Sequence, residues 1–223
     1  MGYTTDFYGT FGVSGNITYK LVKYIDAFSA MRHCAIDPDF FKSHFPDWKE
    51  YGFNGSIGKH GEYIAIPSEN IYDLQAKYPD YIETNRYNIG IPFGYWCHWN
   101  FLDNSENPLF DDGIELVDVD ELIGKKQLRF GWDGSEKFYD YEDWLRFMIF
   151  HFFIPSGVFL NGATLAVGEG EGDAKYIIIK NNEVLAVDAL SKGADVVLRK
   201  YCSNDVFKEV YQTPEEISRH WDY

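Results

Sequence analysis

The chain has 223 residues, 45% of them hydrophobic and 18% aromatic, enough for a sizeable core, and its formal net charge is -15. That charge excludes sequence-independent binding to nucleic acid, which needs a basic face to displace counterions, and docking on anionic lipid. Three widely spaced cysteines, Cys34, Cys97 and Cys202, exclude a disulfide framework and point to a reducing compartment.

No basic or apolar leader follows Met1, so no signal peptide is expected. The apolar run from Phe147 to Pro155 is too short to span a bilayer. Both features predict a cytoplasmic protein. Thr4 to Val13 is rich in aromatic and β-branched residues and reads as an opening strand, bounded by Ser14-Gly15-Asn16. Thr18 is a candidate N-cap for a helix whose Leu21, Val22, Ile25 and Phe28 share one face, and which should end near Cys34. Asp37-Pro38 starts a short second helix limited by Pro46. Glu62 to Pro67 is a short strand candidate. Residues 68–94 mix tyrosines, polar residues and the breakers Pro79 and Pro92. They read as an irregular insertion with one short helix, long enough to carry function.

Tyr95 to Leu102 reads as a strand with aromatics on both faces. An acidic segment over residues 103–122 follows, then a strand from Leu128 to Trp132 and a turn at Asp133-Gly134. Asp140 should cap a helix carrying Glu142 and Asp143 in its first turn, where the dipole favours acid. Its apolar residues, from Trp144 to Phe153, cover most of its circumference, which predicts burial between layers. Pro155 and Gly157 stop it. Val158 to Val167 and Lys175 to Asp188 read as strands, the second folded on itself at Asn181-Asn182. Gly193 to Cys202 is expected to add a last strand, and the capping box Thr213-Pro214-Glu215-Glu216 a final short helix. This order predicts an α+β fold in a single domain, residues 1–223. The expected core is an antiparallel sheet with two main helices on one face, ferredoxin-like, with insertions.

Several stretches hold candidate chemistry. Tyr95, Trp96 and Trp99 could build a stacking platform for a small nucleotide-like ligand, with Glu136 at the polar entrance of the nearby helix. Arg129 or Arg86 would then meet phosphate. Core packing explains half of such an aromatic set, because alternation sends one subset inward. The acids Asp111, Asp112, Glu115, Asp118, Asp120 and Glu121 are interleaved with apolar residues. That is what an inhibitor of a protein with a basic surface would present, although a solvated face is the plainer explanation. His33-Cys34 and Cys97-His98 could meet as a zinc site only by tertiary packing, since neighbours on a strand face opposite ways. No metal and no cofactor is predicted. The Gly168 to Asp173 loop, GEGEGD, joins two strands and holds Glu169, Glu171 and Asp173, so a plain hairpin loop is expected rather than a phosphate loop. A core histidine is the default for His151.

Three segments carry a resemblance: Gly2 to Phe11, Trp96 to Trp99, and the block from Trp132 to Gly162. They resemble a family of small uncharacterised proteins of bacteria and their phages. Residues 36–94 and the acidic segment lie outside that likeness and look like elaborations. The family implies no activity and no catalytic residues. It implies a host-interacting or counter-defence role in the host cytoplasm. The leading expectation is therefore a non-enzymatic, phage-encoded binding protein. It would inhibit a host protein or sequester a small ligand through its acidic and aromatic surface. The alternatives are a small hydrolase-like enzyme using His98, Glu136 and His151, and a structural module that forms homo-oligomers.

Overall fold

The computed structural model describes residues 2–66, 68–83, 90–91, 93–111 and 114–221. In chain order its main elements are β1 (Thr5–Tyr8), β2 (Phe11–Gly15), α1 (Tyr19–Ala30), α2 (Pro38–His44), α3 (Ser68–Lys77), β3 (Trp99–Leu102), α4 (Val119–Lys125) and β4 (Arg129–Trp132). There follow α5 (Tyr141–Met148), β5 (Val158–Gly168), β6 (Ala174–Lys180), β7 (Glu183–Asp188), α6 (Ala194–Tyr201), α7 (Asn204–Val210) and α8 (Pro214–Ser218). The seven strands form one sheet in the order β7-β6-β5-β2-β4-β3, with β1 beside the far half of β5. Every pairing is antiparallel.

β1 and β2 are one strand with a gap. Tyr8 faces Leu165 and Phe11 faces Gly162, so the register runs unbroken across Gly9 and Thr10. Taking them as the first core strand, the chain runs strand, α1, β3, β4, α5, β5. The order β5, first strand, β4, β3 is the ferredoxin-like arrangement. β6 and β7 extend the sheet beyond it.

Each helix forms for local reasons. The Thr18 hydroxyl accepts the Leu21 N–H and starts α1, which buries Leu21, Val22, Ile25 and Phe28. α5 continues past Met148 into a π turn, Ile149–Phe153, in which the Ile154 N–H donates to the Ile149 carbonyl. The extra residue lies just before Pro155, which cannot donate and would clash in a regular turn. It also rotates the helix face. Phe152 and Phe153 stay buried, whereas Phe150 and Ile154 are exposed, so the expected all-round burial holds only in part. α1 and α5 pack on one face of the sheet against Phe11, Phe101, Phe130, Leu160 and Ile179.

The other face is covered by α6, α7 and α8, which bury Ala163, Leu165, Tyr176 and Ile178. Here the chain departs from expectation: Gly193 to Cys202 holds a helix, not a last strand. Val196 and Val197 raised the strand signal, but Ala194 and Leu198 are the buried pair, four residues apart. Glu62 to Pro67 is not a strand either where it is described. Ile64, Ala65 and Ile66 are buried, and the Ala65 N–H donates to the Tyr51 carbonyl within a loop. Ile64 and Ile66 join a satellite core with Cys34, Phe40, Phe41, Ile71 and Ile82, built from the long excursion between α1 and β3, while Ala65 joins the main core. α3 is the short helix expected in that insertion. No helix among the described residues is long and apolar enough to cross a membrane.

Candidate functional site

Residues 94–98 lead into the outermost strand of the core, and two contacts hold them there. Trp96 bridges to Arg32, and the His33 N–H donates to the Tyr95 carbonyl at 2.7 Å. Alternation along the chain then sorts the side chains. Cys97 and Trp99 enter the core. Trp96 and His98 face the other way, their rings 6.2 Å apart and within 12° of parallel.

The turn after β4 folds over this outer surface. The Asp133 N–H donates to the His98 carbonyl at 3.0 Å. Its carboxylate lies 3.3 Å from His98 Nδ1 and also accepts the Ser135 N–H at 2.9 Å. Phe138 is buried beneath and meets the His98 ring edge to face at 5.2 Å. Asp140 stands before α5 as expected, but its backbone is left-handed and its side chain makes no cap bond. It accepts the Gly94 N–H at 2.9 Å instead, tying the turn to the approach to β3.

Between these segments lies a depression of about 700 Å³, walled by Tyr95, Trp96, Tyr139, His98, Glu136 and Asp140. That is the size of a small-molecule site. Of the residues singled out in the sequence, Tyr95, Trp96, His98 and Glu136 meet here. Trp99 does not join them. It is fully buried, and its indole N–H donates to the Tyr141 carbonyl at 2.7 Å, because the inward subset of the strand is core. Arg129 does not join them either. Its guanidinium spans the gap between β1 and β2, donating to Thr10 Oγ1 at 2.9 Å and the Thr10 carbonyl at 3.3 Å. It also lies 3.8 Å from Glu209. Arg86 lies outside the described residues. The wall residues Tyr139 and Asp140, and Asp133 as the partner of His98, went unnoticed as site residues. Their signals are the two-residue spacing of Trp96 and His98 and the Asp-Gly turn that brings Asp133 back.

An imidazole fixed by a carboxylate can hold or move a proton. Among the described residues no thiol stands beside it as a nucleophile. The Cys97 thiol donates to the Met148 sulfur at 3.3 Å, and burial raises its pKa far above the ordinary thiol range. His151 is remote from this wall; its Nδ1 is 2.7 Å from the Tyr63 hydroxyl, and burial lowers its pKa. The four His and Cys side chains do not converge. His33 packs against Phe28 and Trp144, with its pKa pushed down to about 3 by burial. Cys34 lies in the satellite core, pushed up to about 12 for the same reason. Among the described residues no three His, Cys, Asp or Glu side chains could share a metal ion.

The acidic residues lie on a separate surface. Asp111 pairs through its backbone with Ile114 in a two-residue ribbon, and Asp112 lies outside the described residues. Glu115 accepts from the Tyr19 hydroxyl at 2.8 Å. Asp118 caps α4, Glu121 pairs with Lys125 one turn on, and Asp120 is exposed in the first turn. Ile114 and Leu116 stand out beside them, 68% and 57% exposed. A second depression, of about 600 Å³, lies along α1 over Leu21, Tyr24 and Phe53.

No protein-family model matches the chain, and no curated protein or solved structure is significantly similar to it.

Proposed function

We propose that the protein is a non-enzymatic binding protein whose ligand sits in the depression walled by Tyr95, Trp96, His98 and Glu136. The observation that carries this is the contrast within the pocket. Half-buried aromatic rings and a carboxylate-fixed imidazole converge there, while the neighbouring thiol is turned into the core and held as the thiol. Such a wall can grip and orient a molecule, and the nearby thiol is out of its reach. A phosphate-bearing ligand fits poorly, because Glu136 and Asp140 repel phosphate and Arg129 is spent elsewhere. In the phage setting that the resemblance implies, the protein would act on its host by occupancy rather than by turnover.

Native mass spectrometry of the protein purified from cells tests this reading. A small molecule should leave on gentle denaturation, and the Trp96→Ala variant should carry none. A wild-type chain that arrives bare and ignores a fragment library at Trp96 would sink it.

A second reading has its own support. Ile114 and Leu116 are apolar and exposed on an acidic ribbon, as the docking surface for a basic protein would be. Association through it should weaken steeply with salt and fail in a Leu116→Ser variant. Equal affinity in that variant, or self-association that hides the ribbon, would rule it out.

A further inference from the structure

We infer that the pocket selects an organic cation, a small molecule carrying a substituted ammonium or guanidinium group. The inference rests on the reading of this depression as a ligand site. Its first support is the wall itself. Trp96 is half-buried and Tyr139 is 45% exposed, so both offer ring surface to the cavity. An aromatic face carries partial negative charge and attracts a cation placed over it, Trp most strongly. The second support is the charge of the lining. Of the residues that line it, Glu136 and Asp140 are solvent-exposed carboxylates and Lys137 is the one Lys or Arg. The Lys137 stem lies against Gly2, where an added Cβ would come within 2.6 Å of its Cδ and Cε. Asp133 adds a third carboxylate behind His98. The third support comes from inside the molecule. The Arg32 guanidinium lies 4.3 Å from the Tyr95 ring centre and 6.0 Å from that of Trp96. The same two rings therefore already hold one cation in contact. The chain's net charge of -15 draws cations toward any such site and repels anions. The cavity of about 700 Å³ exceeds one side chain, which favours a free small molecule over a partner's lysine.

Three probes of similar shape and different charge test the inference: tetramethylammonium, tert-butyl alcohol and pivalate. Each is titrated into the full chain while the indole ¹H–¹⁵N resonance of Trp96, assigned with Trp96→Phe, is followed by NMR. Tetramethylammonium should shift that resonance saturably, and the other two should leave it in place. Glu136→Gln should weaken binding several-fold on the same resonance, and in Trp96→Leu, which removes that reporter, the shift that tetramethylammonium induces in the Tyr95 and His98 backbone amides should fall likewise. The remaining indole resonances report that each variant is folded. A comparable saturable shift with pivalate or the alcohol overturns the cation inference and leaves the pocket standing. Silence with all three overturns both the inference and the pocket on which it rests.

Discussion

Two tryptophans give the sharpest test of how the core is held. Trp99 and Trp144 are both fully buried, and both lie in the cluster formed by α1, α5 and the sheet. Trp99 donates its indole N–H to the Tyr141 carbonyl at 2.7 Å. The Trp144 indole nitrogen has no hydrogen-bond partner among the described residues, and neither has His33 Nε2 close by. The same change, Trp→Phe, therefore acts oppositely on the polar atom at the two sites. Both variants lose similar buried ring volume, a shared term of about 1–3 kcal/mol. Trp99→Phe also loses a hydrogen bond, about 1 kcal/mol. Trp144→Phe removes an unsatisfied buried donor, which returns about 1–3 kcal/mol. Trp99→Phe should thus be the less stable variant by about 2–4 kcal/mol. Urea unfolding followed by far-UV circular dichroism measures this as a shift in midpoint at constant m. Equal midpoints would refute the reasoning, because they would mean that the Trp144 indole is as well satisfied in solution as that of Trp99.

Glycines give a second matched pair: Gly15 and Gly134 both have left-handed backbones, with φ of +101° and +88°, but a Cβ on Gly15 would sit 2.1 Å from the Gly157 carbonyl oxygen while one on Gly134 meets nothing within 4 Å. Gly134→Ala should cost about 1 kcal/mol from strain alone, and Gly15→Ala several times that, read as loss of thermal midpoint; similar losses would count against the close approach of β2 to Gly157. His33 should make stability depend on pH. Its folded pKa, about 3, lies below the ordinary 6.5, so the neutral form is the folded one. Its contribution is complete above pH 6.5 and is lost as the pH falls from there toward 3, by about 1.4 kcal/mol per unit. His33→Phe should flatten the slope of unfolding free energy between pH 7 and 5 by about that amount, and parallel slopes would contradict it. Thiol chemistry gives a fourth test. Cys202 is partly exposed with its pKa raised to about 11, whereas Cys34 and Cys97 are buried. A disulfide reagent should label Cys202 alone, slowly, in the native chain and all three thiols after denaturation. Fast native labelling of Cys97 would mean that it reaches the pocket.

Much of the architecture was legible because it rests on local rules. Thr18, Asp37 and Thr213 announce their helices and are observed as caps, each accepting a backbone N–H three residues on. The apolar face of α1 and the hairpin at Asn181-Asn182 follow from spacing and turn chemistry in the same way. The failures mark where local rules run out. Val196 and Val197 favour a strand in isolation, and only the sheet face left open beneath α6 makes a helix the better cover. Isoleucines 64 and 66 read as a strand because a short apolar run does not say what will bury it. The candidate site was half legible for a related reason. Alternation divides Tyr95 to Leu102 into two sets, but the sequence does not say which set faces inward. His98 and Asp133 stand 35 residues apart, and nothing local joins them. Arg129 looked like a free cation, yet the break at Gly9 and Thr10 that consumes it appears only once β1 and β2 share one register.

The position of the depression follows from the same asymmetry. β3 is the last strand of the ferredoxin-like core and only four residues long, so the chain that precedes it leaves the ladder with one row of side chains unshielded. The unpaired backbone groups of an outer strand also invite pairing with another chain unless something folds over them. Here the turn from Asp133 to Asp140 does so, and it is fixed at both ends by carboxylates, Asp133 on His98 and Asp140 on Gly94. Two tethers hold the turn close, but they do not close it onto the strand, since Glu136, Lys137 and Tyr139 between them remain exposed. The depression is the space left under that arch. Its inner wall is fixed because His98 is held by Asp133 and packs on the buried Phe138, and its rim is polar because the arch is a solvent-facing turn. A fixed aromatic wall under a charged, exposed rim is what recognition of a small charged molecule requires. It arises here from the way an outer strand is covered, and α5, which follows directly after the arch, contributes no residue to its lining.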